Sequence, residues 1–175
     1  AFSANSWDNA SLAVAITNND YFQFTVTVNT GFTVSLSTLD AAFRRSSTGP
    51  NAFQWQYSLD GFSTAGINIG SSISYTLTTS NGDAQAQINL SGISALQNVP
   101  NGTVITIRLY GWGASAPAGT FALGRISGND LAIGGTTAPS ACSGIPTGQA
   151  GFGSITPTSV TADINVTAGT GGTGR

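Results

Sequence analysis

Histidine, lysine, glutamate and methionine are all missing from this chain of 175 residues, cysteine occurs once, and only 7% of residues carry charge, against about 25% in an average soluble domain. Each gap removes a class of chemistry. Without His there is no imidazole base, without Lys no Schiff base, and with Cys142 alone no thiolate cluster for zinc. The five cations are all arginines, Arg44, Arg45, Arg108, Arg125 and Arg175. Only the first two adjoin, so no basic stripe exists to neutralise phosphates and nucleic acid is excluded as a partner. No apolar run approaches the roughly 18 residues of a membrane span. Lone Cys142 has no internal disulfide partner. With no Met, Ala1 reads as the product of leader cleavage or of a cut from a longer chain.

What remains is a β-protein's inventory. Ser and Thr make up about a quarter of the chain, Gly numbers 23, and 40% of residues are hydrophobic. Low charge with abundant hydroxyl and amide groups points to an extracellular, secreted or cell-surface setting. The hydrophobic period is two almost throughout, the signature of strands with one buried face. Phe22, Phe24, Val26 and Val28 alternate with Tyr21, Gln23, Thr25 and Thr27. Asn29-Thr30-Gly31 then offers a turn into a strand beginning Phe32, Val34, Leu36 and Leu39, so the two runs are expected to form a hairpin. Further strands are expected at 41–47, 51–58, 73–79, 84–91, 103–112, 120–126 and 130–133, with one helical turn at 93–97. Turn signals at Thr48-Gly49-Pro50, Asp60-Gly61, Asn81-Gly82 and Asn101-Gly102 separate them. The expected fold is all-β, an antiparallel two-sheet sandwich of jelly-roll type over 1–136. A linker follows at 137–150, then a two-strand extension at 151–175. In that extension Val160, Ala162, Ile164 and Val166 share one face. Two strands cannot bury an apolar face between themselves, so the extension is expected to dock on the first domain, pair with another chain, or begin a second domain.

The run Phe43-Arg44-Arg45-Ser46-Ser47-Thr48-Gly49-Pro50, followed by Phe53-Gln54-Trp55-Gln56-Tyr57-Ser58 and Asp60-Gly61, resembles a module of large secreted and surface-anchored bacterial multidomain proteins. Asn19-Asp20-Tyr21-Phe22, Leu90-Ser91-Gly92, Arg108 to Ala114 and Ser127 to Leu131 add to the resemblance, which spans about residues 15–136. It implies a β-sandwich akin to carbohydrate-binding jelly rolls. The tail from Gly151 to Gly169 resembles the first strands of a fibronectin type III-like domain, with Val166 where that family has a Trp.

Two sets of side chains could form sites. If Phe43 and Ile105, Ile107 and Leu109 fill the core, then Arg44 shares the outer face with Gln54 and Gln56, provided their strands pair. Arg108 and Tyr110 join them. Planar amides and guanidinium groups can bond sugar hydroxyls in pairs, and Trp112 could stack on a pyranose ring. The same residues would serve equally as a cross-strand ladder over the sheet. No cofactor is expected; were a structural calcium held, Asp20 and Asp130 among the seven Asp would be its candidates. No contiguous calcium loop is present, and Asx turns explain the same positions.

The expected function is therefore non-enzymatic: a structural or adhesive module of a bacterial surface protein or fibre, assembling by strand addition. Its partners would be other copies of itself or neighbouring domains of a larger protein. The alternative is a carbohydrate-binding module whose partner is polysaccharide.

Overall fold

Alternation along Tyr21–Thr27 (β2) and Val104–Trp112 (β8) is realised as an antiparallel pair in which Phe22 faces Leu109, Phe24 faces Ile107 and Val26 faces Ile105. The computed structural model describes residues 2–7, 10–124 and 126–140. The chain divides into two compact units, Ala1–Ser140 and Ala141–Arg175. Cys142 and the strands expected at 152–157 and 159–167 lie outside the described residues.

On its other side β8 pairs with Ala52–Ser58 (β4), which pairs with Ile67–Ser74 (β5), giving a four-stranded sheet ordered β2-β8-β4-β5. The second sheet is organised by Phe32–Arg45 (β3), a strand of 14 residues. One edge of β3 pairs first with Leu131–Pro139 (β10) and then with Phe121–Leu123 (β9), and β9 carries Phe2–Ala4 (β1). Its other edge takes two short pairings, Asp83–Ala84 (β6) and Ile88–Asn89 (β7). The two antiparallel sheets pack as the expected β-sandwich.

Their inner faces meet in an aromatic cluster. Phe43 and Phe121 from the six-stranded sheet meet Phe53 from the other, with ring centroids 4.3 Å apart for Phe53–Phe121 and 4.9 Å for Phe43–Phe53. All three are fully buried. Such ring pairs add about 0.5–1.5 kcal/mol beyond their area burial. Trp7 and Phe22 extend the cluster towards the end of the sandwich that holds β1.

Several expectations are corrected. The 29–31 segment does not close a hairpin: β2 and β3 lie in different sheets, so it carries the chain across the sandwich. A two-residue period marks a buried face and is blind to which strand lies alongside. The runs at 32–39 and 41–47 merge into β3, because no turn residue separates them. The strand expected at 73–79 lies earlier, as β5. The run at 84–91 is broken into β6 and β7, and the last strand continues from 131 to Pro139. The helical turn at 93–97 is found as a 3-10 helix over Ser94–Leu96.

Two elements went unforeseen, the three-residue strand β1 and the helix Leu12–Asn18 (α1). Leu12, Val14 and Ile16 alternate as they would in a strand. End chemistry decides for helix: Ser11 Oγ accepts from the Val14 amide, and Asn19 closes the last turn at φ 61°. Among the described residues no helix is long and apolar enough to cross a membrane.

Candidate ligand cleft and open edge of the sandwich

Gln54, Gln56 and Ser58 alternate with the core residues Phe53, Trp55 and Tyr57 on β4, so they lie on the outer face of the four-stranded sheet. They are nevertheless buried, because α1 and the loop after β4 cover that face. Register sets Gln54 opposite Tyr110 and Gln56 opposite Arg108. Four of the six expected glycan-face residues, Gln54, Gln56, Arg108 and Tyr110, thus sit together.

The loop over them is built by two side chains. Ser58 Oγ accepts from the amides of Asp60 and Phe62 and donates to Asp60 Oδ1. The Asp60 carboxylate also accepts from the amides of Ser63 and Thr64 and from the Thr64 hydroxyl. Stabilised by these hydroxyl and amide donors, Asp60 is held well below the ordinary carboxylate range. This lattice holds Phe62 at φ 65°, a conformation uncommon outside glycine. Gly66 is required beneath it, since a Cβ there would come within 2.4 Å of the Phe62 ring and 2.6 Å of Gln56 Oε1.

The result is a clamp on Arg108. Its guanidinium carbon lies 4.0 Å from the ring centre of Tyr21 and 3.9 Å from that of Phe62. Its Nε donates to Gln23 Oε1 at 2.9 Å and its Nη1 to the Tyr110 hydroxyl at 3.1 Å. Beside this clamp is a cleft of about 360 Å³, floored by Gln56, Arg108 and Tyr110 and walled by Ile16 and Asn19 on one side and Phe62 to Gly66 on the other.

Arg44 is on β3, in the other sheet, paired with Ala122 and donating to the Ser80 carbonyl at 2.8 Å. The condition for its joining Gln54 and Gln56 is not met, since β3 and β4 do not pair. Gln54 turns its amide to the carbonyls of Trp55, Ile69 and Gly70, satisfying backbone at the irregular β4–β5 register. Trp112 lies opposite Ala52, on the same face as Tyr110 and Gln54, but it does not line the cleft, whose aromatic wall is Phe62. Comparison with models of protein families, with curated proteins and with solved structures finds no match to this chain.

Of the two calcium candidates, Asp130 binds back on its own loop: Oδ1 accepts from the Ile126 amide at 3.1 Å, and its carbonyl accepts from the Ala42 amide. Asp20 gives its carbonyl to the Gly111 amide as β2 begins. Among the described residues no three acidic, His or Cys side chains gather in one place.

Arg45, next to Arg44 and facing the opposite way, is 9% exposed. It donates to four carbonyls, those of Ser47, Gly49, Pro50 and Thr76. Burial pulls its guanidinium below the ordinary value, and the four acceptors replace the water it gives up.

A second concavity lies at the open side of the sandwich. This apolar trough of about 390 Å³ is lined by Phe2, Phe22, Phe24, Trp55, Leu123 and Leu131, with Gln23 and Asp130 completing it. Phe2 is 69% exposed there. Along the trough runs β2, which ends the four-stranded sheet. The Gly111 amide donates to Asp20 and the Val28 amide to Thr103, so the even-numbered residues of β2 bond to β8. By the period of an antiparallel ladder the odd-numbered ones turn their N–H and C=O outward. Among the described residues no strand pairs with β2 on that side.

Proposed function

We propose that the chain is a non-enzymatic, extracellular structural module that assembles with its neighbours by strand addition, as a unit of a bacterial surface protein or fibre. The observation that carries this reading is the outward backbone row of β2 beside an apolar trough. An exposed, regular edge with no Lys or Glu along it is the surface that other chains pair with. The low charge and the resemblance of residues 15–136 to modules of secreted proteins support the same setting. Light scattering over a range of concentrations tests it: average mass rises with concentration. A constant monomer mass removes the reading.

A second reading, a carbohydrate-binding module, is favoured by the Arg108 cleft. Gln56 and Arg108 are planar hydrogen-bonding groups, the Phe62 ring supplies an apolar wall, and the volume suits a short saccharide. An Arg with no carboxylate among its partners favours sugars that carry an acid group. A glycan array read with the natural chain and with Arg108→Ala and Phe62→Ala decides it. Binding that both variants lose supports the reading, and no binding by the natural chain ends it.

A further inference from the structure

We infer that the trough beside β2 receives residues 159–167 of a second copy of this chain. The inference rests on the assembly reading and names its donor and acceptor. The acceptor side is defined by direction. Gln23, Thr25 and Thr27 point their amides and carbonyls away from β8, while the side chains of Phe22 and Phe24 turn inward to line the trough. A strand laid along this edge bonds to the odd-numbered residues and directs every second side chain into the trough.

The donor must be about as long as β2, with apolar residues at period two on one face and polar ones on the other. Residues 159–167 meet that requirement. Extended as a strand they would set Val160, Ala162, Ile164 and Val166 on one face and Ser159, Thr161, Asp163, Asn165 and Thr167 on the other. Three of the four apolar residues are β-branched, the type that packs best on a pleated surface. The nine residues match the seven of β2. Between Ser140 and Ser159 lie 18 residues, 141–158, which when extended span up to about 60 Å, ample to reach a neighbouring molecule.

The other edges are poorer acceptors. β10 carries a register shift between Gly134 and Gly135, and the β4–β5 ladder carries one between Phe53 and Trp55, with Gly70 at φ 64° in β5. Bulges twist an edge away from pairing. β1, β6 and β7 run for only two or three residues, and of the three longer edge strands β2 alone has an unbroken register and two aromatic residues in the trough lining. Because donor and acceptor are different surfaces of one sequence, the contact is head-to-tail, and growth is open-ended unless copies close into a ring.

Two full-length variants test this. Ile164→Asp puts a charge on the donor face. Thr25→Pro removes an outward amide from the acceptor edge and leaves the β2–β8 hydrogen bonds in place. Each alone is expected to be monomeric under conditions where the natural chain polymerises. Mixed in equal amounts they are expected to form dimers of doubled mass and nothing larger, because one retains only its acceptor and the other only its donor. Phe2→Asp, a charge at an exposed trough position, replaces Thr25→Pro if the latter has lost its cooperative thermal transition. Polymerisation by Ile164→Asp alone, or a mixture that stays monomeric, overturns this assignment while assembly itself stands. A natural chain that never assembles overturns both.

Discussion

Phe62 lies over Arg108, its ring centre 3.9 Å from the guanidinium carbon, and it can do so only because its own backbone is held at φ 65°. The holding is done by Asp60, whose carboxylate collects the amides of Ser63 and Thr64. Asp60→Ala is therefore expected to release the loop while leaving the sandwich intact. Hydrogen exchange should accelerate at Ser63 and Thr64 and stay unchanged in β8. If the loop amides keep their protection, the carboxylate is not what shapes it.

Arg45→Met keeps the volume and removes the donors. Four carbonyls, those of Ser47, Gly49, Pro50 and Thr76, then lose a partner they now have. At about 1–3 kcal/mol for each buried group left unsatisfied, with water recovering part of it, the variant should lose about 3 kcal/mol in denaturant unfolding. Arg45→Lys, which cannot reach four acceptors with a planar fork, should recover only part of the loss.

Stability should fall at both ends of the pH scale. Asp83 accepts from the hydroxyls of Tyr75 and Thr79, which hold it below its ordinary value, and Asp60 is depressed likewise. A carboxylate depressed on folding stabilises above its unfolded value near 4, so the thermal midpoint should drop as pH falls below about 4. Asp83→Asn should flatten that limb.

The alkaline limb belongs to Tyr75. Its single hydroxyl proton is shared between Asp83 and the Phe43 carbonyl, 2.7 Å away, and burial first, then Asp83, push its pKa up to about 12. A raised value stabilises below the unfolded value near 10, and that contribution is lost as pH rises from there to 12. Tyr75→Phe should remove this dependence and cost about 1–2 kcal/mol at neutral pH. An unchanged alkaline limb in Tyr75→Phe would locate the transition elsewhere.

Phe53 touches both Phe43 and Phe121 across the sandwich. Phe53→Ala should cost about 3–5 kcal/mol, measured by denaturant midpoint, and Phe53→Leu distinctly less.

How much of this was legible in the sequence depended on what each residue could signal. The faces of β2, β4 and β8 were readable because Phe22, Trp55 and Leu109 alternate with polar neighbours, and with them the grouping of Gln56, Arg108 and Tyr110. Partnership was not readable, so Arg44 was placed with residues of the opposite sheet. The helix was hidden because Leu12, Val14 and Ile16 alternate with the period of a strand, and only the Ser11 and Asn19 caps signal the helix. Phe62 was missed because Asp60-Gly61 announces a turn and says nothing of what the turn carries. Its signal was present in the spacing Ser58-x-Asp60-x-x-Ser63-Thr64, a set of short side chains placed to bond backbone two to four residues on.

Strand β3 spans Phe32–Arg45, and each of its longer ladders waits on a partner far along the chain: β9 at 121–123 and β10 at 131–139. β2 likewise waits for β8 at 104–112. Of the strand pairings, only the β4–β5 hairpin and the short pairings of β6 and β7 with β3 can form before β8 emerges. Closing the distant ladders places the domain among slow folders. A β2 strand that waits this long for β8, without Lys or Glu along it to deter mispairing, is exposed to its neighbours at the same edge through which the finished molecule would recognise them.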